Sequence, residues 1–190
     1  MSTDPIRLVV LLGSNREGRF GPTVAGWLLR HLASRPDFEV DFLDLADQEL
    51  PVVFPAEPSP AVRAFVSRLD RADAFAVVTP EYNHGYPASL KQAIDLANPE
   101  WHAKPVGFVS YGGISGGLRA VEQLRQVFAE LHATTIRDTV SFHSAPAQFD
   151  AEGDPIDPTA VDAAAKTMLD HLAWWAEALR TARSERPYAS

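Results

Sequence analysis

The sequence predicts an α/β fold in which a parallel sheet carries helices on both faces. Strand-like runs alternate with helix-like segments along the whole chain. The runs are continuously apolar, as in Leu8-Val9-Val10-Leu11-Leu12 and Ala74-Phe75-Ala76-Val77-Val78, which is how a strand buried on both faces reads. Three of them empty into loops dense in glycine and polar residues.

The first strand runs from Ile6 to Leu12, and Pro22 suits the first turn of a helix reaching about Ala33. Phe38 to Leu43 alternates apolar with acidic residues, which places this second strand at or near a sheet edge. Asp44 to Pro60 holds Pro51, Pro55 and Pro58 and reads as a long loop or a broken helix. Val62, Phe65, Val66 and Leu69 give Ala61 to Arg71 helical spacing. Ala74 to Thr79 is the third strand, followed by a helix from about Ala88 to Ala97. Val106 to Ser110 is the fourth, followed by a helix from Leu118 to about Leu131. A last strand falls between Thr134 and Phe142, with a break expected near Arg137-Asp138. Ser144 to Pro158 reads as a loop. The closing helix, about Thr159 to Arg183, is expected to turn Val161, Ala165, Met168, Leu172, Trp175 and Leu179 toward the core. Trp174 is expected to pack beside them.

Composition narrows the function classes. The 190 residues fit one compact domain spanning residues 1–190. A net charge of −8 argues against a general nucleic-acid binder or a binder of anionic membranes, while leaving room for a local basic pocket. Cysteine is absent, which excludes disulfides, thiolate–metal sites and a cysteine nucleophile. No apolar run could span a bilayer, and Met1 to Pro5 lacks signal-peptide character, so a soluble cytoplasmic protein is expected. His84, His102 and His143 lie in separate loops without ligand spacing, so no metal site is expected.

The three loops carry the chemistry. In parallel sheets of this kind ligands sit at the carboxyl ends of the strands. The first loop, Gly13 to Thr23, offers Ser14, Arg16 and Arg19 as anion donors and leads into a helix N-terminus, whose free N–H groups and dipole favour a phosphate. The second, Thr79-Pro80-Glu81-Tyr82-Asn83-His84-Gly85-Tyr86-Pro87, mixes stiff prolines, aromatic rings and amide groups, a mixture that suits a flat heteroaromatic ring. The third, Ser110-Tyr111-Gly112-Gly113-Ile114-Ser115-Gly116-Gly117, exposes backbone N–H groups and leaves space. Singly they also read as an ordinary connection with surface arginines, as turn chemistry and as a flexible lid. Together they describe a phosphorylated cofactor with a planar polar ring. No Walker pattern is present, and the dinucleotide fingerprint is incomplete, so a mononucleotide fits better.

Gly13-Ser14-Asn15-Arg16 resembles the Gly-Ser-x-Arg phosphate loop of the NADPH-dependent FMN reductase family. Pro80-Glu81-Tyr82-Asn83, with Pro87 and Leu90-Lys91-Gln92-Ala93-Ile94-Asp95, resembles that family's second signature. Lys104-Pro105-Val106 leading to Ser110 and the glycine pairs resembles its third. The likeness spans about Ile6 to Phe142. It implies a flavodoxin-like, doubly wound, five-stranded parallel sheet in the order 2-1-3-4-5. It also implies bound FMN and reduction of FMN, quinones, azo dyes or metal oxyanions by NADPH or NADH, in homodimers or homotetramers.

Carried over by position, Ser14 and Arg16 would hold the FMN phosphate, with Arg19 and the backbone at Phe20 and Gly21 assisting. Pro80, Glu81, Tyr82 and Asn83 would line the isoalloxazine ring, with Ser110, Gly112 and Gly113 on its other side. Tyr82, His84, Tyr111 and Arg119 would contact nicotinamide or the small-molecule electron acceptor. No side chain is expected to act as nucleophile, acid or base, since hydride transfer in a ping-pong cycle needs stacking and alignment. The chain departs from the pattern at Arg19 and Gly21, where relatives carry a small hydroxyl residue and often Asn, and at His84, where they carry Ser or Gly. Arg19 then either makes a charged bond to the phosphate or points to solvent. Two other readings stand beside this one: a flavodoxin-type electron carrier without its own turnover, and a doubly wound protein that binds another phosphate ligand.

Overall fold

A computed structural model describes residues 4–188. Five parallel strands lie in the order β2-β1-β3-β4-β5: β1 (Ile6–Leu12), β2 (Phe38–Asp44), β3 (Ala74–Pro80), β4 (Pro105–Tyr111) and β5 (Thr134–Phe142). The helices are α1 (Gly21–Ala33), α2 (Pro60–Arg71), α3 (Ala88–Asp95), α4 (Leu118–Glu130) and α5 (Pro158–Glu185). After β1 the chain steps outward to β2, the edge strand expected from its acidic alternation, and then crosses back to β3 on the far side of β1. The strand order therefore reverses between β1 and β3, which opens a crevice at their carboxyl ends.

The pleat divides the core into two. Leu8, Val10 and Leu12 face one side, where α1 and α5 bring Trp27, Leu28, Met168 and Leu172. Val9 and Leu11 face the other, where Phe65, Leu90, Trp101 and Phe128 pack. Both faces are thus apolar, and the central strands β3 and β4 are buried at every position. Ser59, outside the expected Ala61 start, caps α2 by accepting from the Val62 N–H at 3.2 Å, with Pro60 in the first turn.

Two expectations are corrected. β5 is not broken at Arg137-Asp138: it continues through a bulge. Val106 faces Thr135 and Phe108 faces Thr139, so Ile136, Arg137 and Asp138 stand opposite the single Gly107. In α5 the buried seam is Ala165, Met168, Leu169, Leu172 and Ala176. Trp175, expected inside, is 37% exposed and Trp174 is 62% exposed, and the two rings meet edge-to-face at 5.1 Å. The seam at steps of three and four residues selects Ala176, and Trp175 lies about 100° around the helix from it.

Candidate functional site

The carboxyl ends of β1, β3 and β4 converge on a cleft of about 640 Å³, within the range of roughly 300–1,000 Å³ for small-molecule sites. Arg16, Glu17, Gly18, Arg19 and Phe20 line one end. Pro80, Glu81 and Tyr82 line the middle, and Tyr111, Gly112 and Gly113 face them. Ser144, Ala145, Pro146 and Ala147 close the remaining wall. Sequence reasoning missed this fourth segment, although it leaves the carboxyl end of β5 and therefore reaches the same rim.

The first loop is anchored from below. Ser14 is fully buried, its hydroxyl 2.7 Å from the Tyr82 hydroxyl, and it accepts the Arg16 N–H at 3.4 Å. Gly18 takes φ +66°, a conformation glycine adopts freely, with open space around it. Asn15, Arg16, Glu17 and Gly18 form an exposed lip. The Arg16 guanidinium stands 5.8 Å from the Tyr82 ring centroid. Phe20 starts α1 and packs edge-on against Phe149 at 5.4 Å. No side chain caps this helix start, whose N-cap residue Phe20 lines the cleft. Gly21 is required by crowding: a Cβ there would lie 2.6 Å from the Tyr111 hydroxyl and 2.7 Å from a Leu12 methyl.

The second and third loops are fastened together. Asn83 and His84 have φ of +50° and +74°, and Tyr82 and Gly85 exchange both backbone hydrogen bonds across them, which makes a primed two-residue turn. The Glu81 N–H donates to the Tyr111 carbonyl at 3.0 Å. The Glu81 side chain, 6% exposed, accepts the Arg119 N–H at 3.2 Å, capping α4. Arg119 Nε lies 2.7 Å from Glu81 Oε1 as a charge contact, at an angle that does not make it a hydrogen bond. Arg119 Nη1 donates to His84 Nδ1 at 2.8 Å, and Gln123 donates to the His84 carbonyl. Ser110, placed beside the ring by the sequence reading, is fully buried and donates to the Gly116 carbonyl at 2.8 Å. It supports the glycine loop from beneath.

Tyr111 lines the cleft with little of its surface free. It is 5% exposed, and its hydroxyl under the start of α1 has no hydrogen-bond partner among the described residues. Burial, with Tyr82 nearby, pushes this phenol above its ordinary range, so it is neutral near pH 7. Asn83 and His84 stand exposed at the turn, and neither they nor Arg119 belong to the cleft lining. Among the described residues no group of three or more His, Asp or Glu could hold a metal, and no helix is long and apolar enough to cross a membrane.

The donor set tests well against a mononucleotide. An uncapped helix start and Arg16 suit a phosphate, stiff Pro80 and the Tyr82 ring suit a planar group, and at Gly113 a side chain would meet nothing within 4 Å. Fold and site together define a flavodoxin-like protein with a nucleotide cleft at the switch point of its sheet. Residues 6–147 match the family described as NADPH-dependent FMN reductase, and the chain belongs to that family. It is 36% identical over 132 residues to an NAD(P)H-dependent FMN reductase of Schizosaccharomyces pombe, covering 64% of each chain. It is 33% identical over 170 residues to an NADPH:quinone oxidoreductase of Arabidopsis thaliana, covering 80% of this chain and 83% of the other. The fold matches that of a flavoenzyme NAD(P)H:(acceptor) oxidoreductase of Paracoccus denitrificans with a TM-score of 0.73 at 23% identity, over 90% of this chain and 97% of that one.

Proposed function

We propose that the protein is an FMN-dependent NAD(P)H oxidoreductase that reduces a small-molecule acceptor of quinone, flavin or azo type in a ping-pong cycle. The observation that carries this reading is the convergence of an anion-binding end and a ring-binding end in one cleft. Arg16 and the N–H groups at the start of α1 hold the phosphate, and Pro80, Tyr82, Gly112 and Gly113 hold the ring. When bound there, FMN would supply the hydride-transfer chemistry, which none of the lining side chains provides.

The chain's own contribution is alignment. Glu81 ties the two ring-binding loops into one surface, so nicotinamide and acceptor meet a fixed platform in turn. His84 and Arg119, paired at the rim, bear on the incoming molecule rather than on the ring. Family membership supports a homodimer or homotetramer, and so do Val52, Val53 and Phe54, exposed apolar residues that an assembly would cover.

The test is spectroscopic. The purified protein should be yellow, or become so on adding FMN, and should bleach rapidly with NADPH under nitrogen. A yellow protein that NADPH leaves unchanged would be an electron carrier instead. A colourless protein that ignores FMN would refute the reading.

A further inference from the structure

Arg19 lines the cleft, yet its guanidinium is committed to protein partners and does not point to solvent. Its Nη1 and Nη2 donate to Asp44 Oδ1 and Oδ2, each at 2.6 Å, and Nη1 donates also to the Ser14 carbonyl. The two side chains are 13% and 10% exposed. Asp44 is the last residue of β2 and pairs in register with Leu12, the last residue of β1. Its Oδ1 takes the Ala46 N–H at 3.0 Å as well. The ion pair therefore joins the phosphate loop to the neighbouring strand end. The Arg19 N–H also donates to the Arg16 carbonyl at 3.3 Å, closing the turn through Gly18.

A planar guanidinium presents its donors in a fixed fork, and here the fork is filled by a carboxylate and a carbonyl. Withdrawing it would leave Asp44 as an uncompensated, nearly buried carboxylate beside an anion site, which is strongly unfavourable. We propose that Arg19 is a positioning residue. It neutralises Asp44 and braces Ser14 to Arg19 in the shape that presents Arg16 and the α1 start to the FMN phosphate, without binding that phosphate itself. The proposal rests on the reading of the cleft as an FMN site.

The two roles for Arg19 predict opposite signs at Asp44. If Arg19 served the phosphate, Asp44→Asn would free it and tighten FMN. As a brace it loses its partner, and FMN weakens. FMN and riboflavin, which lacks the phosphate, are titrated by flavin fluorescence into the flavin-stripped full chain. Arg19→Gln and Asp44→Asn should each weaken FMN at least tenfold and riboflavin less than twofold, and the double variant should be no worse than the poorer single one. Salt should weaken FMN as steeply in the Arg19→Gln/Asp44→Asn double variant, which keeps the parental net charge at the site, as in the parent chain, whereas Arg16→Ala should flatten that dependence. Arg19→Lys keeps the charge without the fork and guards against a Gln variant that fails to fold; it should show the same FMN-selective loss. Tighter FMN binding in Asp44→Asn, a flattened salt dependence in the double variant, or parental FMN affinity in Arg19→Lys overturns the proposal alone. A parent chain that binds neither flavin removes the functional reading and the proposal with it.

Discussion

The Tyr82 hydroxyl lies 2.7 Å from the Ser14 hydroxyl, joining two loops that are 68 residues apart in sequence. Ser14 is fully buried, so Tyr82→Phe leaves its hydroxyl with the long Arg16 N–H contact in place of a short bond. The expected cost is about 1–2 kcal/mol, a fall of several degrees in Tm for a chain of this size. A Phe variant that melts with the parent chain would mean the bond contributes nothing.

Gly117 and Gly113 are predicted to behave as opposites. Gly117 has φ +86°, and a Cβ there would sit 2.7 Å from the Ser110 Cβ and 2.9 Å from the Tyr111 nitrogen. Gly117→Ala should therefore destabilise by about 2 kcal/mol or more, from strain and overpacking together. At Gly113 nothing lies within 4 Å, so Gly113→Ala should keep the parental Tm and alter only FMN affinity or acceptor KM. Equal melting of the two variants would contradict the assignment.

Lys104 gives stability a pH dependence. Burial, reinforced by the Arg183 cation, pushes its ammonium from 10.5 down to about 8, while Nζ donates to the Leu69 and Asp70 carbonyls. Between about pH 8 and 10.5 the folded chain is neutral at this site and the unfolded chain still holds the proton. The unfolded state then binds more protons, so this group's contribution to stability rises with pH across that window. The rise is at most about 3 kcal/mol. Urea melts from pH 7.5 to 10 should show it in the parent chain and a flatter profile in Lys104→Met. Parallel profiles would rule it out.

His84 occupies a position where a primed turn favours glycine. His84→Gly should relieve about 1 kcal/mol of backbone strain, against a smaller loss from the exposed Arg119 contact. The variant should melt about one or two degrees higher, while NADPH or acceptor KM shifts as Arg119 is released. A lower Tm would show that the contact outweighs the strain.

Periodicity made the architecture legible before any coordinates. Val9 and Leu11 against Leu8, Val10 and Leu12 are the two core faces in one strand, and the acidic alternation of β2 marked the edge. The cleft's backbone lining was equally readable, because glycine and proline at strand ends report backbone shape. Side-chain direction was not. Ser110 and Glu81 have the chemistry of ring contacts, yet one supports Gly116 and the other caps α4, choices fixed by neighbours distant in sequence. Arg19 is the sharpest case. Its partner Asp44 opens what reads as a long loop, and only the β1–β2 register brings it under the phosphate loop. Trp175 misled for a simpler reason: a helix of 28 residues has several apolar stripes, and only one can meet the sheet.

The Glu81 carboxylate on the α4 start gives the cleft one stiff jaw. Pro80 to Tyr82 is fastened to Tyr111 through the Glu81 N–H and to α4 through the carboxylate, while the opposite lip, Asn15 to Gly18, is exposed and held at its ends by Ser14 and Arg19. Changes at the lip should alter how long the flavin stays, and changes at the stiff jaw should alter what it can react with.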